Sequence, residues 1–166
     1  MKTIFFKICL LFSLISVNSF SFFSNNIINI IPLYSQFNEN INWTNYNLIL
    51  VGSKGSSSST EEWSEKILCY SKIKKENMCA IASVPKWMLK TSYSKIIIKN
   101  SIRLYENRIS VFIDWNEKFS FENNIINYPT IIITKYDKGK LFEIGRISGV
   151  YSHKLWKILL IYINQL

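Results

Sequence analysis

Few residues of this 166-residue chain are suited to covalent chemistry: Cys9, Cys69, Cys79, a single histidine (His153), and a run of four serines, Ser56, Ser57, Ser58 and Ser59. A structural zinc cluster takes four Cys or His ligands, which this set does not supply. A Ser-His-Asp or Cys-His hydrolase would have to use His153 as its base. That histidine follows Ser152 at the start of a helical stretch, where a lone histidine reads as a surface residue of a capping turn. Neither a metal site nor a cofactor is expected. The thiols fare little better, because a reactive thiol needs a positive, partly exposed setting such as a helix N-terminus. Cys69 falls well into the helix expected after Ser59, and Cys79 falls in an expected central strand, where Cys behaves as a small buried hydrophobe. A Cys69–Cys79 disulfide would require Cα atoms within about 7 Å between a helix and the next strand, and is not expected.

Charge and composition exclude further classes. The net charge is +9 with a pI near 9.5, yet the basic residues are 17 Lys against 3 Arg. With 28 Ile and 17 Asn, the Lys content follows AT-rich codon usage. Lys66, Lys72, Lys74 and Lys75 spread along a helical stretch as on a solvated face; a phosphate-binding surface would cluster Arg among aromatics. No nucleic-acid partner is expected. At 48% hydrophobic residues and mean hydropathy +0.10, the chain can bury one real core.

Residues 1–19 read as a secretory signal: Lys2 and Lys7 precede or open a short apolar run over 8–17, and Val17 and Ser19 suit the −3 and −1 cleavage positions. The run is short for a bilayer span of about 20 residues, so cleavage is favoured over an uncleaved anchor, with no stable membrane insertion afterwards. Residues 20–44 are Asn- and Ser-rich, without Lys or Arg, and are expected to be poorly ordered or extended. Phe20, Phe22 and Phe23, directly after the signal, resemble the bipartite leaders of secondary-plastid proteins. That is the alternative to a secretory-lumen or extracellular location. Asn42-Trp43-Thr44 is a glycosylation sequon, which makes Asn42 a candidate acceptor if the chain enters that lumen.

These residues must be positioned by the elements of a domain over 45–166. The apolar run 47–52 is a buried central strand. Ser59 and Glu62 have capping-box spacing, and Trp63, Ile67, Tyr70 and Ile73 repeat at helical spacing to about Asn77. A strand over 78–84 stops at Pro85; residues 27–34 are also strand-like, with Pro32 at an edge or break. Residues 86–106 read as helix against the β-branched Ile96-Ile97-Ile98, and 109–113 as strand. A turn over 114–117 leads to a short helical piece over 119–124. Strands over 130–134 and 141–147 flank a hairpin at Asp137-Lys138-Gly139-Lys140, and Ser152 caps a final helix with Leu155, Leu159 and Tyr162 on one stripe. The tryptophans read as core, except Trp115 in the exposed turn.

The stretch ISVFIDWNEKFSFENNIINYPTIIITKYDKGKLFEIGRISGVYSHKLWKILL resembles the second half of a thioredoxin-fold protein, of the thiol-disulfide-oxidoreductase and peroxiredoxin-like branch. Asn116 stands where the family's first turn often carries glycine. The resemblance implies an α/β, thioredoxin-like three-layer α/β/α fold with a central mixed sheet and a C-terminal β-hairpin plus helix. It also implies a cis Tyr128–Pro129 bond, with backbone there available to pair with an extended peptide. The departure from the family matters more. Where these proteins place Cys-x-x-Cys at a helix N-terminus, this chain carries its serine run. The function so implied is a redox-inactive, binding or chaperone-like module of the secretory pathway. Ser56, Ser57, Ser58, Ser59, Tyr128 and Pro129 would then form its surface for a polypeptide partner. The alternatives are a thiol-dependent oxidoreductase or peroxidase using Cys69 or Cys79, a plastid-targeted thioredoxin-like protein, or a protein held at a membrane by its N-terminal segment.

Overall fold

A computed structural model describes residues 26–70, 72–103 and 109–166. The proposed signal at 1–19 and the phenylalanine-rich start of the next segment lie outside these residues. The described residues form six strands, β2 to β5 built on apolar, β-branched runs: β1 (Tyr34–Ser35), β2 (Leu48–Ser53), β3 (Met78–Val84), β4 (Ser110–Trp115), β5 (Thr130–Asp137) and β6 (Lys140–Ser148). Among the described residues, four helices join them: α1 (Ser57–Leu68), α2 (Ser92–Arg103), α3 (Lys118–Glu122) and α4 (His153–Ile163). Among the described residues, no helix is long and apolar enough to cross a membrane.

The strands form one mixed sheet in the order β1-β4-β3-β2-β5-β6, in which β2, β3 and β4 are parallel and the other pairings antiparallel. Buried on both faces, β2 and β3 are nearly continuous apolar runs. Leu48 and Leu50 pack with Trp63 and Ile67 of α1 and with Leu159 and Ile163 of α4. Val111 and Ile113 on that face meet Ile102 of α2. Ile49, Val51, Ile81 and Phe112 pack on the opposite face with Phe119 of α3 and with Ile28, Leu33 and Trp43. The result is the three-layer α/β/α arrangement with the C-terminal hairpin and helix. The hairpin turn has positive φ at Lys138 (47°) and Gly139 (81°), the geometry of a two-residue turn that follows the strand twist. Ser152 caps α4, its Oγ accepting from the Leu155 N–H at 3.3 Å.

Several expectations need correction. Residues 26–44 are not loosely packed: Ile28, Leu33, Ile41 and Trp43 are buried, and Trp43 stacks on Phe119 at 5.2 Å. The strand read over 27–34 reduces to a single bridge, Ile27 to Phe142, and the two residues of β1. The helix read to Asn77 ends at Leu68; Tyr70 and Ile73 still pack on the α1–α4 core, but from a turn. The capping box is formed by Ser53 and Ser56 instead of Ser59 and Glu62. The helix read over 86–106 is a 3-10 turn (Lys86–Met88) followed by α2. Trp115 ends β4, half-buried beneath the Lys95 ammonium, whereas Trp87 is exposed.

The register of β5 and β6 shifts between Ile133 and Thr134, so that Ile144 is unpaired. In a regular strand residues three apart face opposite sides. The bulge turns Glu143 and Arg146 to one face, where they form a paired contact (Arg146 Nη2 to Glu143 Oε2 2.7 Å, Nε to Oε1 3.1 Å).

Candidate functional site

At the C-terminal end of β2 the chain passes from Ser53 through a 3-10 turn (Lys54–Ser56) directly into α1. The serines therefore form the helix's opening turns; no separate loop precedes it. Ser56 is buried: its Oγ accepts from the Ser53 N–H at 2.9 Å and lies 3.2 Å from the Ser53 carbonyl, to which it can donate. Ser57 and Ser58 face solvent and Ser59 is half-buried. Of the four, the Ser56 hydroxyl satisfies backbone groups at the helix start.

The Tyr128–Pro129 bond is cis. Val51 pairs with Thr130, so the next residues of β2, Gly52 and Ser53, run out beside Pro129 and Tyr128. The register thus brings the serine turn and the proline loop to the same end of the sheet. Pro129 itself is buried, and its carbonyl accepts from the Gly149 N–H at 2.9 Å. The Gly149 carbonyl in turn accepts from the Trp63 indole at 2.9 Å, which ties this rim to α1. Exposed apolar side chains flank it in the chain, Ile126 three residues before Pro129 and Val150 next to Gly149, exposed by 86% and 64%; Phe121 of α3 is exposed by 82%.

Beneath the proline loop lies a polar network that the sequence reading missed. Ser83 and Tyr128 hydroxyls are 2.9 Å apart, and both reach Glu117 Oε1, at 3.2 and 3.3 Å. The Ser120 hydroxyl lies 3.2 Å from Ser83 and donates to Asp114 Oδ2 at 2.9 Å. Asp114 is fully buried and also accepts from the N–H groups of Phe119 and Ser120, at 2.8 and 2.9 Å, so it caps α3 from the end of β4. Burial pushes the Asp114 carboxyl above the usual carboxylate range, opposed by these three hydrogen bonds and reinforced by Glu117. Asn116 and Glu117 both adopt left-handed backbone (φ 61° and 57°). Asn tolerates that region, and at Glu117 the conformation aims the carboxylate at Ser83 and Tyr128. The available signal was an Asp ending an apolar strand just before a short helical piece.

The thiols are elsewhere. Cys69 is exposed, but at the far end of α1, which corrects its expected place within the helix. It stands about 18 Å along the helix axis from Ser57. Cys79 is fully buried in β3, paired with Ile49 and Ser110, and burial pushes its thiol well up. An aromatic disulfide reagent is therefore expected to titrate Cys69 in the native protein and Cys79 only after unfolding. Immediate reaction of both would contradict this placement. His153 is exposed at the first turn of α4. Asn42 is exposed and caps a 3-10 turn, its Oδ1 accepting from the Thr44 N–H and hydroxyl, at 3.2 and 2.8 Å. Among the described residues, no group of three or more His, Cys, Asp or Glu is placed to hold a metal ion.

The chain has a thioredoxin-like fold, shared with several solved structures. An exposed lipoprotein thioredoxin (Etrx1) from Streptococcus pneumoniae superposes with a TM-score of 0.57 at 13% identity, over 82% of this chain and 98% of that one. A thiol-disulfide isomerase from Corynebacterium glutamicum gives 0.56 at 12% identity, over 84% and 96%. A secreted disulfide oxidoreductase from Mycobacterium tuberculosis gives 0.52 at 8%, over 82% and 96%. No protein-family profile and no curated protein matches the sequence.

Proposed function

We propose that the chain is a redox-inactive thioredoxin-fold module of the secretory pathway that binds an extended polypeptide where the serine turn meets the Tyr128–Pro129 loop. One observation carries this reading: the opening turn of α1, beside Pro129, presents Ser57 and Ser58 to solvent, while Cys69 and Cys79 stand away from it. Without a thiolate at that turn, no mixed disulfide can form with a partner there. The exposed Ile126 and Val150 beside the loop, with the exposed Phe121 of α3, supply the apolar contacts that such a partner would cover. Secretion is supported by the leader pattern over 1–19 and by a fold shared with an exposed lipoprotein and a secreted protein.

The test has two arms. Insulin reduction by dithiothreitol should proceed at the same rate with and without the protein; acceleration would favour the thiol-dependent reading. Reduced, carboxymethylated α-lactalbumin, a permanently unfolded chain, should bind the wild type and bind an Ile126→Asp, Phe121→Asp variant about tenfold more weakly. Equal binding by both would remove the assigned surface. Intact mass of protein secreted by a eukaryotic host should show cleavage after Ser19, with or without a glycan on Asn42.

A further inference from the structure

A cavity of about 590 Å³ opens between α1 and α2 on the sheet face that both helices cover. This is within the 300–1,000 Å³ range of small-molecule sites. Its floor is made of small residues, Ala80 and Ala82 of β3 and Gly52 of β2. A Cβ on Gly52 would come within 2.5 Å of Thr60 Oγ1, so α1 sits tight on β2 and the open space lies over β3. The α2 wall is aliphatic, formed by Ile97, Ile98 and Ile102.

The polar atoms of the lining decide what fits. Thr60 and Ser64 of α1 donate to the carbonyls of Ser56 (2.9 Å) and Glu61 (2.7 Å), and Ser101 of α2 donates to that of Ile97 (2.9 Å). Ser83 belongs to the Tyr128 network, Ser53 faces Ser56, and Glu61 is engaged in an interaction of its own. Two lining groups remain without a partner among the described residues: the Lys54 ammonium and the Ser57 hydroxyl, both on exposed residues where the 3-10 turn enters α1, which puts them at the solvent side of the lining. The walls thus suit an aliphatic body, and the mouth offers one cation and one hydroxyl donor.

We propose that this cavity binds a medium-chain aliphatic monocarboxylate, its chain lying over Ala80 and Ala82 and its carboxylate at Lys54 and Ser57. This site is separate from the polypeptide surface proposed above. Calorimetric titration of the purified protein with decanoate, with decan-1-ol and with decyltrimethylammonium tests it. Decanoate should bind one to one and most tightly of the three. Lys54→Ala should weaken decanoate about fivefold and leave decan-1-ol unchanged. Ala82→Phe, which fills the floor, should abolish binding. If that variant does not fold, Ile97→Asp, at an exposed wall position, should weaken decanoate by about tenfold or more. The proposal is overturned if decanoate does not bind, if a folded Ala82→Phe or Ile97→Asp binds it as well as the wild type does, if the cationic amphiphile binds best, or if Lys54→Ala weakens the alcohol equally.

Discussion

Asp114→Ala is expected to lower the unfolding free energy by about 3 kcal/mol, read as a fall in the urea midpoint at constant slope. The carboxylate accepts from two buried backbone N–H groups at the start of α3 and from the Ser120 hydroxyl, all within 2.9 Å. Alanine leaves these donors in the apolar layer formed by Phe119 and its neighbours, where each buried unpaired group costs about 1–3 kcal/mol. The side chain also titrates in a predictable sense. Its folded pKa is raised above the ordinary 3.8 by burial, with the Glu117 carboxylate opposing ionisation as well. The native state therefore binds the proton more tightly than the unfolded chain, and the stabilisation from this group is complete below about pH 3.8 and is lost as the pH rises through the folded value. Measured between pH 3 and 7, wild-type stability should gain on that of Asp114→Asn as the pH is lowered. A constant difference would show that Asp114 is not the titrating group.

Trp63→Ala should have an effect of similar or larger size, about 3–5 kcal/mol, because the indole is fully buried at the junction of α1 and α4. The ring meets Tyr151 edge-on at 5.0 Å between centroids and lies 6.4 Å from Trp156, which Tyr70 meets edge-on at 5.9 Å. Truncation opens a void in this cluster and strands the Gly149 carbonyl. Trp63→Phe separates the two effects, since it keeps most of the packing and loses only the hydrogen bond. It should cost about 1 kcal/mol and still weaken binding of the unfolded lactalbumin, because Gly149 also holds Pro129. Unchanged binding by Trp63→Phe would mean that the rim does not depend on its tie to α1.

Legibility from sequence followed the range of the interactions. The Lys138-Gly139 turn, the Ser152 cap and the apolar runs of β2 and β3 are local features, and they lie where the residues imply. The end of α1 was not legible, because periodicity reports which way side chains face. Tyr70 and Ile73 face the core at helical spacing, but their N–H groups donate three residues back, to Ile67 and Tyr70, in place of the α-helical ladder. The packing of 26–44 was hidden in an Asn-rich composition: Ile28, Leu33, Ile41 and Trp43 are buried while Ile27, Ile30 and Phe37 are exposed, and no regular period separates the two sets. The Ser83–Glu117–Ser120–Tyr128 cluster joins residues up to 45 positions apart, which no local pattern announces. The Ile144 bulge likewise depends on the partner strand.

The N-terminal segment also has a protective role. Beside β6, the Ile28 N–H donates to the Leu141 carbonyl and the Glu143 N–H to the Asn26 carbonyl, at 2.8 and 2.9 Å, so a short stretch of extended chain occupies the outer side of the last strand. Proteolysis that removed residues 26–28 would uncover strand hydrogen-bonding groups beside Leu141 and Phe142 and leave an edge open to pairing with other chains. The fold therefore limits how far the N-terminus can be trimmed: beyond Asn26, trimming turns a protected sheet margin into a nucleus for aggregation.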